Sequence, residues 1–132
     1  MGRRVLDSSV LIQHWHHSGG HPSHKHMTAD AIAWGKRLAK IRGTNAILTP
    51  VLLEFLAGVT SENEMRLAQA YLDQFEVQDD RVITKQDCDE AERIARRVPR
   101  DGLRRQLGDC LIRAIANRLR CEVVSLDVRF PK

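Results

Sequence analysis

Cysteine is scarce in this chain of 132 residues, and the three present, Cys88, Cys110 and Cys121, are scattered and form no CxxC pair. That argues against a disulfide framework or a thiolate zinc site as the basis of the fold, and makes a reducing, cytoplasmic location the expectation. Aromatic residues are only 5% of the chain. Stacking on bases would therefore fall to a few rings such as Trp15 and Trp34, of which Trp34 sits in a helical apolar pattern and is expected in the core. No apolar run approaches the roughly 20 residues of a membrane-spanning helix, and the opening MGRRVLDSSV lacks the apolar core of a signal peptide, so a protein neither anchored nor exported is expected. Neither sign of charge dominates: 21 Lys and Arg stand against 17 Asp and Glu, an excess that permits a polyanionic partner without demanding one.

What is present is an alternation of strand and helix signals, with 42% hydrophobic residues, enough for one core and a single domain over residues 1–132. Arg4 to Leu6 starts a strand, and Asp7, Ser8 and Ser9 then offer capping side chains to a helix begun by Val10, Leu11 and Ile12. Residues 14–26 carry all six histidines with Gly19, Gly20 and Pro22, which predicts a loop. A helix from Thr28 to about Arg42 follows, with Ala29, Ile32, Ala33, Leu38 and Ile41 as its apolar residues and Gly43 as its stop. Ala46 to Thr49 is the second strand, and Thr49 then Pro50 supplies the cap and first residue of a helix that holds Glu54 one turn in.

Ser61 with Glu64 opens a helix to about Phe75, burying Met65, Ala68, Leu72 and Phe75. Val82 and Ile83 predict a short strand, Thr84 with Asp87 caps a helix reaching the neighbourhood of Val98, and Pro99 ends it. A last helix spans Leu107 to about Leu119, and the strand Glu122 to Ser125 delivers Asp127 at its end.

Strands separated by helices predict an α/β fold with a mostly parallel sheet, because parallel neighbours need crossover connections. Ligands bind such folds beyond the carboxyl ends of the strands. Asp7 ends the first strand, Glu54 follows the second by about one helical turn, Asp127 ends the last, and Asp109 joins them if its helix starts on the same rim. Each has an ordinary reading alone: Asp7 as a cap, Glu54 as an exposed helical residue, Asp109 as a partner of the helix dipole, Asp127 as a turn residue. One shared site accounts for all four together. Clustered carboxylates repel unless protons or a cation offset them, and oxygen ligands without Cys or His favour Mg²⁺ or Mn²⁺. Such an ion suits in-line attack of water on a phosphodiester.

The runs VLDSSVLI (residues 5–12), ILTPVLLEFLAG (47–58), LGDCLIRAIANRL (107–119) and VVSLDVRF (123–130) resemble, in order and spacing, the PIN-domain nucleases, particularly the VapC-type toxins of prokaryotic toxin–antitoxin pairs. The resemblance implies an α/β/α sandwich, a Mg²⁺- or Mn²⁺-dependent endoribonuclease activity, and a homodimer neutralised by an antitoxin protein. Its acidic set falls on Asp7, Glu54, Asp109 and Asp127, with Ser9 and Ser125 as supporting hydroxyls. Asp7, Asp109 and Asp127 are then expected to ligate the ion, and Glu54 to bind it through water or orient the attacking water. Two features depart from the family pattern: the histidine-rich segment, and the end of the sequence at Lys132, where relatives commonly continue into a further strand.

Arg96, Arg97, Arg100, Arg104 and Arg105 cluster before Asp109, where they can hold an RNA backbone, face solvent or bind an antitoxin. The histidines can bind Zn²⁺, Ni²⁺ or Cu²⁺, but a solvated polar loop is the expected state of a flexible glycine-containing segment. Two other functions fit less of the chain. A phosphate-accepting receiver domain needs a phosphoacceptor Asp after a middle strand and a later Lys, neither of which is plain. A non-catalytic RNA- or metal-binding module would rest on the histidines and arginines.

Overall fold

In a computed structural model, which describes residues 3–21, 26–97, 99 and 102–132, the chain runs β1 (Arg3–Leu6), α1 (Ser8–Ser18), α2 (Thr28–Arg42), β2 (Ala46–Ile47), α3 (Thr49–Ala57), α4 (Glu62–Leu72), β3 (Glu76–Val77), α5 (Lys85–Ala95), α6 (Leu107–Leu119) and β4 (Cys121–Val124). Val5 and Leu6 in β1, like Ala46 and Ile47 in β2, are all buried. Successive strand residues point to opposite faces, so both faces are covered, as an α/β fold with parallel strands requires. β1 pairs in parallel with β4, Leu6 opposite Val124, and β2 pairs in parallel with β3. β1 also lies against β2, although the ladder hydrogen bonds divide into two two-stranded sheets. Among the described residues no helix is long and apolar enough to cross a membrane.

The segment expected as a histidine loop is helical in its first third. α1 continues to Ser18 and stops at Gly19, whose φ of 95° is open to glycine and strained for other residues; its N–H bonds back to the His16 carbonyl. Trp15 is what carries the helix onward. It is 2% exposed, packs edge-on against Trp34 and Phe55 and tilted against Tyr71, and its indole N–H donates to Glu64 Oε2 at 3.1 Å. Burying so large a ring outweighs the weak helix preference of the histidines around it.

Three of the histidines make contacts to this framework. His14 Nδ1 is 2.9 Å from the Tyr71 hydroxyl, His21 Nδ1 lies 2.9 Å from the buried Glu64 carboxylate, and His26 sets its edge on Trp34. His16 and His17 remain exposed, and Pro22 and His24 lie outside the described residues. With Trp15 and Trp34 both interior, neither is available to stack on a base.

Trp34 also corrects the phase of α2. The buried stripe is Ala31, Trp34, Gly35 and Leu38, while Ala29 and Ala33 are exposed and Ile41 is 66% exposed. The largest apolar side chain sets which stripe faces inward, and it overrides the smaller residues around it. α3 starts one residue earlier than expected, with Leu48 at the cap, and its first turn is tied down by Asp79, which accepts from Thr49 N at 3.1 Å and Thr49 Oγ1 at 2.7 Å.

Val82 and Ile83 form no strand and are 54% and 39% exposed. Asp80 and Arg81 before them both lie at positive φ, 53° and 60°, which breaks extended backbone, so the pairing strand is β3. The Ser61 and Thr84 caps form as expected, accepting from Glu64 N and Asp87 N, but α4 ends at Leu72 and α5 at Ala95. Asp87 is also gripped at 2.7 and 2.9 Å by Arg118 of α6.

Candidate active site

Asp7 leaves β1 at its carboxyl end, where its N–H donates to the Val124 carbonyl of β4 at 2.8 Å. Its carboxylate is 2% exposed and stays in place through hydroxyls from both ends of the sequence. Ser9 Oγ donates to Asp7 Oδ2 at 2.9 Å and Ser125 Oγ donates to the same oxygen at 2.8 Å. Each hydroxyl has one proton to give. Their lone pairs take the backbone N–H groups of Leu126 and Asp127, both at 3.0 Å, so each serine joins the acidic residue to the turn after β4.

Ser8, which the sequence suggested only as a cap, has a second partner: its Oγ donates to Glu54 Oε2 at 3.1 Å and stands 3.5 Å from Asp7 Oδ1. Glu54 comes from the second turn of α3, about one turn beyond β2, as the spacing implied. Its Oε1 is buried without any hydrogen-bond partner. Burial pushes the Glu54 carboxyl above its ordinary value, the Ser8 hydroxyl works against this, and the charge of Asp7 adds to it. Room for Glu54 comes from Gly108 at the start of α6: a Cβ there would lie 1.9 Å from Glu54 Oε1. Sequence reasoning passed over Gly108, whose one signal was a glycine inside a helical pattern directly before an acidic residue.

Asp109 follows Gly108 and faces the same place. Its carboxyl is pushed up to about 6, first by burial, then by the charges of Asp7, Glu54 and Asp127, with Arg129 opposing. That coupling draws the four acidic residues into one field. Asp127 accepts from Arg129 N at 2.9 Å, and the Arg129 guanidinium stands 3.5 Å from the same oxygen. A cavity of ≈ 700 Å³ opens beside Asp109 and Asp127, and Arg97, Arg104, Arg105 and Arg129 line it. Arg96 turns away to pair with Glu92 at 2.8 Å, and Arg100 lies outside the described residues.

Among the described residues no group of three or more His, Cys, Asp or Glu side chains is arranged to hold a metal ion as it stands. The acidic residues nevertheless suit a hard divalent ion in donor type and charge. All supply oxygen, the charges of Asp7, Glu54 and Asp127 all raise Asp109 with Arg129 opposing, and among the described residues the buried Glu54 Oε1 has no donor of its own. Asp109→Asn tests this electrostatic tension. The raised carboxyl makes the charged form costly in the folded state. The penalty is absent below the ordinary value of 3.8, grows as pH rises to about 6, and is then constant. With EDTA present, Asp109→Asn should gain about 1–2 kcal/mol of stability at pH 7.5 and nothing at pH 3.5, read from urea midpoints. A gain that does not depend on pH would contradict it.

The PIN domain family model matches residues 4–132 of the chain. No match is found among curated proteins.

Proposed function

Because the chain belongs to the PIN-domain family, one of generally metal-dependent nucleases, we propose that it is an endoribonuclease dependent on Mg²⁺ or Mn²⁺, and the VapC-type toxin of a toxin–antitoxin pair. The observation that carries the activity is the buried Asp7 carboxylate, framed by Ser9 and Ser125 and sharing its field with Glu54, Asp109 and Asp127. Asp7, Asp109 and Asp127 would hold the ion, and Glu54 would bind it through water or orient the attacking water; when bound, the ion would supply charge stabilisation for the phosphodiester and a more acidic water.

The chain's own residues do the positioning. Ser9 and Ser125 fix the Asp7 carboxylate by donating to a single oxygen, leaving Asp7 Oδ1 with only the long contact from Ser8. Ser8 holds the Glu54 carboxylate through Oε2, and that carboxylate orients the attacking water and takes its proton. A carboxylate raised by burial accepts a proton more readily, which suits that task. The acidic residues orient water and do not attack phosphorus themselves. Arg97, Arg104 and Arg105, on the cavity wall, hold the RNA backbone.

The toxin assignment, with its cognate antitoxin, homodimeric assembly and cytoplasmic location, rests on the order of the four sequence runs. The binding-module reading would draw on the cavity arginines and the exposed His16 and His17, while His14, His21 and His26 contact the framework. The purified protein is expected to cleave cellular RNA with Mn²⁺ or Mg²⁺ and to leave it intact in EDTA. Intact RNA under every condition, from protein shown to be folded and free of bound antitoxin, would refute the enzyme. Induced expression should arrest growth, and co-expression of a cognate antitoxin should relieve it.

A further inference from the structure

Residues 127–131 follow β4 as turns without helix or strand, yet they carry Asp127 to the cavity wall that Asp109 also lines. The near end of this segment is tied through Ser125, whose hydroxyl accepts from Asp127 N at 3.0 Å. Within it, Arg129 N donates to Asp127 Oδ1 at 2.9 Å and Phe130 N to the Asp127 carbonyl at 3.1 Å. Those bonds shape the turn without attaching it to a helix. Arg113 of α6 does that: its guanidinium lies over the Phe130 ring, 5.4 Å from the ring centre, and its Nε donates to the Pro131 carbonyl at 2.8 Å. Phe130 is only 9% exposed there.

Arg113 is not an ordinary surface charge. It is half-buried, burial holds its guanidinium below the usual value, and the charge of Arg97 adds to this. Arg118 of the same helix grips the covered Asp87 carboxylate at 2.7 Å. Arg113 has a ring and a carbonyl as its partners among the described residues, and no carboxylate. Burying a cation without an anion is costly, and what offsets the cost here is contact with the segment after β4. Arg113 stands four residues after Asp109, so both project from one face of α6. That face therefore supplies one carboxylate of the site and holds the segment that supplies another.

We propose that Arg113 is a positioning residue of the acidic site: by clasping Phe130 and Pro131 onto α6 it fixes Asp127 beside Asp109 in the spacing at which the pair takes a divalent ion. The clasp is a contact within the chain, and only its consequence for the ion rests on the nuclease reading. Contacts that hold a metal's ligands in place typically carry about 10- to 100-fold in metal affinity. The sign of the effect is diagnostic. By charge alone, removing a cation near the carboxylates favours binding of a metal cation. Loss of the clasp does the opposite.

Two measurements on RNA-free protein test this, at a temperature where circular dichroism shows every variant folded. The first, in EDTA, is hydrogen exchange of the Arg129 and Phe130 amides by NMR; the second is Mn²⁺ binding, read from the electron paramagnetic resonance of the free ion. Arg113→Met keeps the aliphatic stem and loses the cation and the Nε donor, while Phe130→Leu loses the ring face. Each should speed exchange about tenfold or more and weaken Mn²⁺ binding about 10- to 100-fold. The double variant should fall within about twofold of the weaker single one, because both remove the same clasp. Arg118→Met breaks a buried pair on the same helix and should cost more stability, yet leave both readings within about twofold of wild type. Unchanged exchange in Arg113→Met overturns the clasp. Faster exchange with Mn²⁺ bound as tightly as by wild type, or more tightly, overturns the positioning role. Wild type that binds Mn²⁺ in this pattern but never cleaves RNA would sink the enzyme and leave Arg113 in its role; cleavage by wild type with both readings indifferent to Arg113 would do the reverse.

Discussion

Asp7→Asn should lower RNA cleavage on the order of 10³-fold while leaving the protein folded. The size follows from what the carboxylate does under the proposed mechanism, since removing one charged ligand forfeits several kcal/mol of stabilisation of the phosphodiester's transition state. The fold should survive because an amide can keep both of the contacts that matter. Its oxygen can occupy the place of Oδ2 and accept from Ser9 and Ser125, while its NH₂ group faces Ser8 and Glu54 and lessens the repulsion there. Single-turnover cleavage with Mn²⁺, alongside thermal unfolding, checks both halves. Wild-type cleavage by the variant would remove Asp7 from the site, and a lost fold would mean that the amide cannot be accommodated.

Gly108→Ala is the second large effect, and here stability and activity should part. Position 108 lies in the first turn of α6 with nothing unusual in its backbone, so alanine favours the helix by roughly 0.5–1 kcal/mol. The new Cβ would meet Glu54 Oε1 at 1.9 Å, and the tip of a flexible side chain is what must give way. Glu54 is thereby pushed from the position in which Ser8 holds it, and a displacement of about 1 Å at a reacting group can cost 10²-fold. We expect the melting temperature to hold or rise while kcat falls about 10²-fold with KM little changed. Unaltered kcat would show that Glu54 is a bystander.

The parts of the fold legible in sequence were those governed by local rules. Ser61, Thr84 and Gly43 mark helix ends because capping geometry involves neighbours in the chain, and they lie where their spacing implied. The phase of α2 and the extent of α1 were not legible, since both depend on Trp15 and Trp34 finding one another across elements. β3 escaped notice for the same reason: two residues are too few for a pattern, and their pairing with β2 is a long-range fact.

At the site, the expectation of a shared acidic cluster followed from strand ends and from the family resemblance, and the charges of Asp7, Glu54 and Asp127 each raise the Asp109 carboxyl. Ser8 and Gly108 did not, because their importance lies in Glu54, which reaches them from a different helix. Arg96 and Arg97 are consecutive in sequence, yet one is spent on Glu92 and the other lines the cavity; a run of like charge says nothing about which side chains are free.

The pairing of β1 with β4 bears on how a cell makes such a protein safely. Asp7 is translated before its backbone partner Val124 and its hydroxyl partner Ser125, which are made more than a hundred residues later. Until the ribosome has delivered that stretch, the carboxylate has neither strand nor serine to hold it, and Asp127 does not yet exist. Under the proposed function, a growing chain is therefore inert towards the messenger it is being read from and the ribosomal RNA around it, and cleavage becomes possible only once residues 124–127 have been made.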